Sequence, residues 1–283
     1  MKEIFINDFQ IHSNTENLGF VVHNMSGLEL PGIRQTKYPR PGESGAILSN
    51  LLYDGRMITF AGSVFAETAN LFHQRRRQLQ DAISLTKNIY SQPVPFILSM
   101  TTVDDLPLQI ECYLEDLNMK LEQMNGQEFL LTLYAPDPAL LSQSLTTTNL
   151  VKGSGGGAIY PLIYPAVYEE TEESEATINN QGTMETYPVI YLNGPLENPI
   201  IQNVTNDRFI DLDLTLNTGD QVVIDMLNKT IIQNGSVSVI GYKTSGSKWW
   251  WLEKGNNLIR LITDSGSDEG NAQVQHRDAY VGA

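Results

Sequence analysis

The 283-residue sequence contains a single cysteine, Cys112, so no intrachain disulfide can form. It lacks any surplus of positive charge: 18 Lys and Arg stand against 33 Asp and Glu, a formal net charge of −15. That balance argues against a protein that holds nucleic acid by neutralising phosphates, which needs clustered basic side chains. No apolar stretch approaches the roughly 18 residues that span a bilayer, so no membrane insertion is expected. "MKEIFINDFQI" has no basic region followed by an apolar run, and no signal peptide is expected. His12, His23, His73 and His276 show no H-x-H or H-x-x-x-H spacing and have no companion cysteines. No Gly-x-Ser-x-Gly elbow occurs, and carboxylate neighbours such as Asp104 and Asp105 are what any acidic sequence supplies. The residues point to no catalytic group, no metal ligand and no cofactor.

What is present reads mostly as β-structure. "EIFINDFQIH", "LGFVVHNM", "RMITFAGSVFA", "PFILSMTTV", "LQIECYLE" and "EFLLTLYAP" alternate or are rich in Ile, Val, Phe and Thr. In "LQIECYLED" Cys112 reads as a small apolar strand residue. One segment differs. From about Thr68 to Thr86 there is no Gly or Pro, and Ala69, Phe72, Leu79 and Ile83 fall on one helical stripe. Arg75, Arg76 and Arg77 lie on this helix, about 100° apart, so they cannot share one narrow face. Arg76 falls within the apolar stripe, which fits either an arginine paired with a carboxylate at a contact or a plain solvated helix.

Between Thr146 and Gly157 the sequence turns polar and glycine-rich, a junction near residue 145. "KGSGGG" lacks the Gly-Lys-Ser/Thr ending of a phosphate loop and reads as a linker. Further strands follow, from "PVIYLNG" to "AQVQHRDAYVG", with turn signals every 8 to 12 residues, as in a β-sandwich or jelly roll. In "DLDLTLNTGD" Leu212, Leu214 and Leu216 read as the buried face of a strand rather than part of a calcium loop. "YEETEESEA" reads as a solvated loop or charged edge.

All three tryptophans are consecutive, in "SGSKWWWLEKGNNLIRL". In a strand Trp249 and Trp251 share one face and Trp250 and Leu252 the other. "EKGNN" then reads as a turn, with Leu258 to Thr263 returning as a partner strand. Three exposed tryptophans would invite aggregation, so at least one face is expected inside the fold. Trp249 and Trp251 are the candidates for a sugar or partner face.

Taken in series, "GLELPGIR" (Gly27 to Arg34), "RPGESGA" (Arg40 to Ala46), "YDGRMITFAGSV" (Tyr53 to Val64), "RRRQL" (Arg75 to Leu79) and "YAPDPAL" (Tyr134 to Leu140) are one half of a pattern. "NNQGTMETYPVIYLNGPLENPIIQN" (Asn179 to Asn203), "LNTGDQVVID" (Leu216 to Asp225), "WWWLEKGNNLI" (Trp249 to Ile259) and "HRDAYVG" (His276 to Gly282) complete it. This order resembles the distal tail proteins of long-tailed, non-contractile phages.

The resemblance implies a mostly β chain. Residues 1–145 would form a ring-forming belt domain, a split barrel or sandwich with one helix. Residues 146–283 would form a galectin-like or carbohydrate-binding-module-like β-sandwich. It further implies a homo-hexameric ring at the virion tail tip, assembled in the host cytoplasm, with a central channel that lets DNA pass without binding it. Its partners would be the major tail tube protein, the tail-associated hub protein and, in some phages, receptor-binding proteins. At 283 residues the chain is too short for the inserted sugar-binding modules of enlarged members. Subunit-interface candidates are the edge strand "RMITFAG", with Arg56, Ile58 and Phe60, and the helix with Arg75, Arg76 and Arg77. A carbohydrate-binding module for cell-wall glycan is the alternative. A glycan hydrolase has least support, because no segment marks the carboxylate pair it needs.

Overall fold

Alternating apolar and polar residues build most of the protein. The structure, a computed structural model, describes residues 1–15, 19–84, 93–120, 126–151, 174–264 and 270–283. It divides into two compact units, Met1–Gln143 with Tyr280–Ala283, and Ser144–Ala279.

In the first unit the strands are β1 (Glu3–Ile6), β2 (Phe9–Ser13), β3 (Phe20–Ser26), β4 (Ile33–Pro39), β5 (Ala46–Tyr53) and β6 (Arg56–Phe65). The helix α1 (Ala69–Ala82) follows, then β7 (Phe96–Thr101), β8 (Pro107–Met119), β9 (Gly126–Ala135) and β10 (Leu140–Ser142). An antiparallel sheet runs in the order β2-β1-β7-β8-β9-β6-β3. It curls until its two ends meet, where the Val22 N–H donates to His12 Nδ1 at 3.4 Å. Alternate residues of its strands, among them Ile4, Leu98, Ile110, Phe129, Leu131, Ile58 and Phe60, fill one core.

Helix α1 presents Phe72 and Leu79 to that core, with Ile83 buried just past its end. Thr68 caps it, its side chain accepting from the Leu71 N–H. The helix stops at Ala82, earlier than its apolar stripe implies, because Ile83 leaves helical geometry at the C-cap. Cys112 is buried in β8, as its neighbours predict, and burial pushes its thiol up to about 12.

The second unit holds β11 (Thr146–Val151), β12 (Ser174–Asn180), β13 (Val189–Asn193), β14 (Leu196–Glu197), β15 (Ile200–Asn203) and β16 (Arg208–Asp211). Then come β17 (Thr215–Leu216), β18 (Gln221–Asp225), β19 (Thr230–Gln233), β20 (Val237–Ser238), β21 (Gly255–Ile262) and β22 (Asn271–His276). One sheet runs β11-β22-β13-β18-β19-β20 and a second β12-β21-β15-β16. Together they enclose a core that includes Leu150, Ile190, Ile224, Ile259, Val274 and Trp250. The chain is mostly β, with one α-helix among the described residues, as the sequence implies.

Three local expectations are revised. Thr146–Val151, expected as the start of a polar junction, is a strand: it pairs along its length with β22 and buries Leu150. β-branched threonines suit a pleated edge as well as they suit a polar junction. The glycine run after it and residues 168–173 of the acidic segment lie outside the described residues. Leu212 and Leu216 are buried and Leu214 half-buried, but the strand they were expected to form is broken between β16 and β17. The tryptophan run, finally, is extended but has no ladder partner. Its one bridge joins Leu252 to Thr186, and the expected pairing with β21 is not made.

Candidate assembly surfaces

Arg56 opens β6 and is almost fully buried. Its Nη1 donates to the carbonyls of Gly27 (3.1 Å) and Glu29 (3.2 Å), and its Nη2 to those of Pro138 and Val281. Burial pulls its pKa down, while the carboxylates of Glu29 and Asp137 pull it back. A guanidinium can hold this position because its fork reaches four carbonyl oxygens at once. Ile58 and Phe60 are fully buried beside it. These three residues, expected at a subunit contact, are therefore core of the first unit. The strand alternates, and its even-numbered side chains point inward, leaving Met57, Thr59, Ala61 and Ser63 on the other face.

On α1 the three arginines separate as their 100° spacing requires. Arg75 turns back and donates from Nη1 to the Phe65 carbonyl at 2.7 Å. Its guanidinium lies where a Cβ on Gly19 would stand only 2.0 Å from Nη1, and Gly19 also has φ +76°. The positive φ is what calls for glycine there, since the guanidinium is the far end of a flexible side chain. Arg76 is half-buried and Arg77 exposed.

Trp250 and Leu252 are fully buried, and Trp249 and Trp251 half-buried, so the two-face division read from the sequence holds without a strand. Side chains hold the run in place of a ladder. The Trp251 carbonyl accepts from Asn203 Nδ2 (2.9 Å) and Asn206 Nδ2 (3.0 Å), and the Trp249 carbonyl from Arg208 Nη1 (3.1 Å). Arg208 also lies over the Trp251 ring, 4.2 Å from its centroid, and Tyr187 meets that ring edge-on at 6.4 Å. Trp251 is thus a stacked ring with a cation on one face.

Two of the sequence motifs lock together in the second unit. The N–H groups of Thr183 and Met184 donate to the Ala279 carbonyl (2.8 and 3.0 Å), and the Gln181 N–H to Asp278 Oδ1 (2.9 Å). Gly182 packs so closely there that a Cβ would lie 2.0 Å from the Ala279 oxygen. Buried His276 places Nε2 3.3 Å from the Asn179 carbonyl, and burial lowers its pKa despite that bond and nearby Asp278.

Sequence reading missed the most exposed apolar feature. Among the described residues strands β4 and β5 pair only with each other and form a hairpin. Ile33, Tyr38, Ile47, Leu48, Leu51 and Leu52 each expose half or more of their surface. The signal was present in "AILSNLLY", whose apolar residues do not alternate and so cannot all face one core. Among the described residues no three His, Cys, Asp or Glu side chains converge on one point, and no helix is long and apolar enough to cross a membrane.

Residues 181–280 match the family model described as siphovirus-type tail component, C-terminal domain. No curated protein matches the sequence. Among solved structures the chain is similar to the Dit protein (gp 19.1) of phage SPP1, described as a paradigm of the hub adsorption apparatus in phages infecting Gram-positive bacteria. The identity is 12%, the TM-score 0.69, and 98% of each chain is covered. It is also similar to a chain of the phage P2 baseplate in its activated conformation with calcium, at 14% identity and TM-score 0.50, covering 97% of this chain and 98% of that one. The resemblance drawn from the sequence is borne out: residues 181–280 carry a siphovirus-type tail component domain, and the chain has the fold of a distal tail protein.

Proposed function

We propose that the protein forms a homo-hexameric ring at the tail tip. The ring joins the major tail tube protein to the tail-associated hub protein and leaves a central channel for DNA. In this reading the unit Met1–Gln143 with Tyr280–Ala283 builds the ring, and Ser144–Ala279 forms a galectin-like sandwich that anchors baseplate or receptor-binding components. Assembly would take place in the host cytoplasm.

The observation that carries this reading is the β4–β5 hairpin. A two-stranded ribbon is marginal in water by itself, and this one exposes large apolar side chains along both strands. Such a surface calls for a partner, and a ring supplies one to every copy without leaving an open end. The net charge of −15 suits a channel that must not retain DNA. No reaction is assigned to the protein in this reading. Arg77, exposed on α1, remains an interface candidate, and half-buried Arg76 a weaker one.

The alternative is a module that grips cell-wall glycan with Trp249 and Trp251. Against it, both rings are half-buried and one face of Trp251 is taken by Arg208. The test is the mass of the purified protein by light scattering, alongside a glycan array. Six times 31.6 kDa with no glycan signal is the expected result. A protein that stays monomeric at high concentration and binds glycan tightly would replace the ring with the sugar module.

A further inference from the structure

The hairpin has a definite chemistry. Cross-strand pairs Arg34–Leu52 and Tyr38–Ile47 share one face, and Ile33–Tyr53 and Lys37–Leu48 the other. Each face therefore carries one cation among three large apolar side chains. With Arg40 and Glu43 at its tip, the segment from Ile33 to Tyr53 has a net charge of +2, in a chain whose total is −15. Arg40 is 3.9 Å from Glu43, while Arg34 and Lys37 have no carboxylate partner among the described residues.

Opposite chemistry lies on the outer face of the sheet in the same unit. Register places Ile97 beside Glu111, Thr132 beside Asp116, and Leu130 between Ala61 and Asn118. Met57, Leu130 and Ile97 are exposed there, and Glu111, Glu115 and Asp116 are exposed around them. This face is apolar and acidic, as the hairpin is apolar and basic. Among the described residues nothing covers the exposed side chains of either surface.

We propose that the β4–β5 hairpin docks by its Lys37 face on the outer β7-β8-β9-β6 face of a second copy of this chain, with Lys37 reaching Glu111, Glu115 and Asp116. The inference rests on the ring reading and names the surface that would join its subunits. Two features favour a second copy over another protein. The two surfaces are complementary in charge. Their apolar side chains are of similar size and degree of exposure. Since hairpin and face are separate patches, the contact is head-to-tail, the kind that builds a ring when its rotation closes.

The experiment mixes two single-substitution proteins, Lys37→Cys and Glu111→Cys, under mild oxidation. Native Cys112 is buried and its thiol stays protonated, so it leaves the background low. A disulfide-linked species of twice 31.6 kDa, formed from the mixture and from neither variant by itself, is the expected result. In parallel, the reversal Lys37→Glu should lower the assembly mass by light scattering at unchanged circular dichroism. Adding Glu111→Lys and Asp116→Lys should restore it. All three positions are exposed, so folding is a poor explanation for any loss. An oligomer whose mass is unmoved by the reversal, or absence of the mixed crosslink, overturns the hairpin contact and leaves the ring standing. A mixed crosslink in an oligomer of other than six copies keeps the contact and overturns the hexamer.

Discussion

His276 shows how burial turns an ordinary side chain into a pH-dependent stability element. Its imidazole is enclosed in the second unit, with Nδ1 lacking a partner and Nε2 near the Asn179 carbonyl. Burial disfavours the cation, so the folded-state pKa lies below that of the unfolded chain, about 6.5. Below that value the unfolded state binds the proton and the folded state resists it. Stability is therefore fully present above about pH 6.5 and falls as pH drops toward the folded pKa. Replacing His276 with Gln removes the titration. The gap in denaturant midpoint between wild type and His276→Gln should shift steadily against wild type from pH 7.5 to pH 5. A gap that is constant with pH would mean that the ring takes up its proton as easily folded as unfolded.

At the scale of elements, the sequence was legible wherever local periodicity decides the outcome. The stripe of Phe72, Leu79 and Ile83 marked α1, and alternation marked β6, β8 and β9. It was not legible where partners come from far along the chain. Arg56, Ile58 and Phe60 read as an edge available to a neighbour because alternation shows that a strand has two faces, not what covers each. The tryptophan run read as a hairpin strand for the same reason. Its backbone is instead held by Asn203, Asn206 and Arg208, more than 40 residues away in sequence.

The turn that follows is local, and one side chain closes it. Asn257, fully buried, accepts from the Glu253 N–H (2.9 Å) and donates to the carbonyls of Glu253 (2.8 Å) and Gly255 (3.0 Å). Asn257→Ala would remove three hydrogen bonds to backbone groups of this part-buried turn, worth about 0.5–1.5 kcal/mol each. A loss of about 2–4 kcal/mol by chemical denaturation is expected. Faster hydrogen exchange should appear at Glu253, with Trp250 still buried.

At the scale of the whole molecule, the chain crosses from the first unit to the second after Gln143 and returns for its last four residues. Those residues complete the first unit. The Val281 carbonyl is one of the four that Arg56 holds, the Ala283 N–H donates to the Leu28 carbonyl at 3.0 Å, and Tyr280 packs against the core. Nothing in the sequence pairs Arg56 with a carbonyl 225 residues away. Deleting 280–283 removes one acceptor from a buried guanidinium, one backbone bond and part of a tyrosine's burial. Arg56→Met goes further, leaving the Gly27, Glu29 and Pro138 carbonyls unsatisfied as well. About 2–4 kcal/mol is at stake in either case, the substitution costing more. For a unit of this size that corresponds to a drop in Tm of about 4–16 °C. The three tryptophans make the two units separately visible, because all lie in the second. Far-UV circular dichroism should therefore show an earlier transition in both variants, while the tryptophan fluorescence midpoint stays at its wild-type temperature. If the fluorescence midpoint moved with it, the tail and Arg56 would be supporting the two units as one cooperative body.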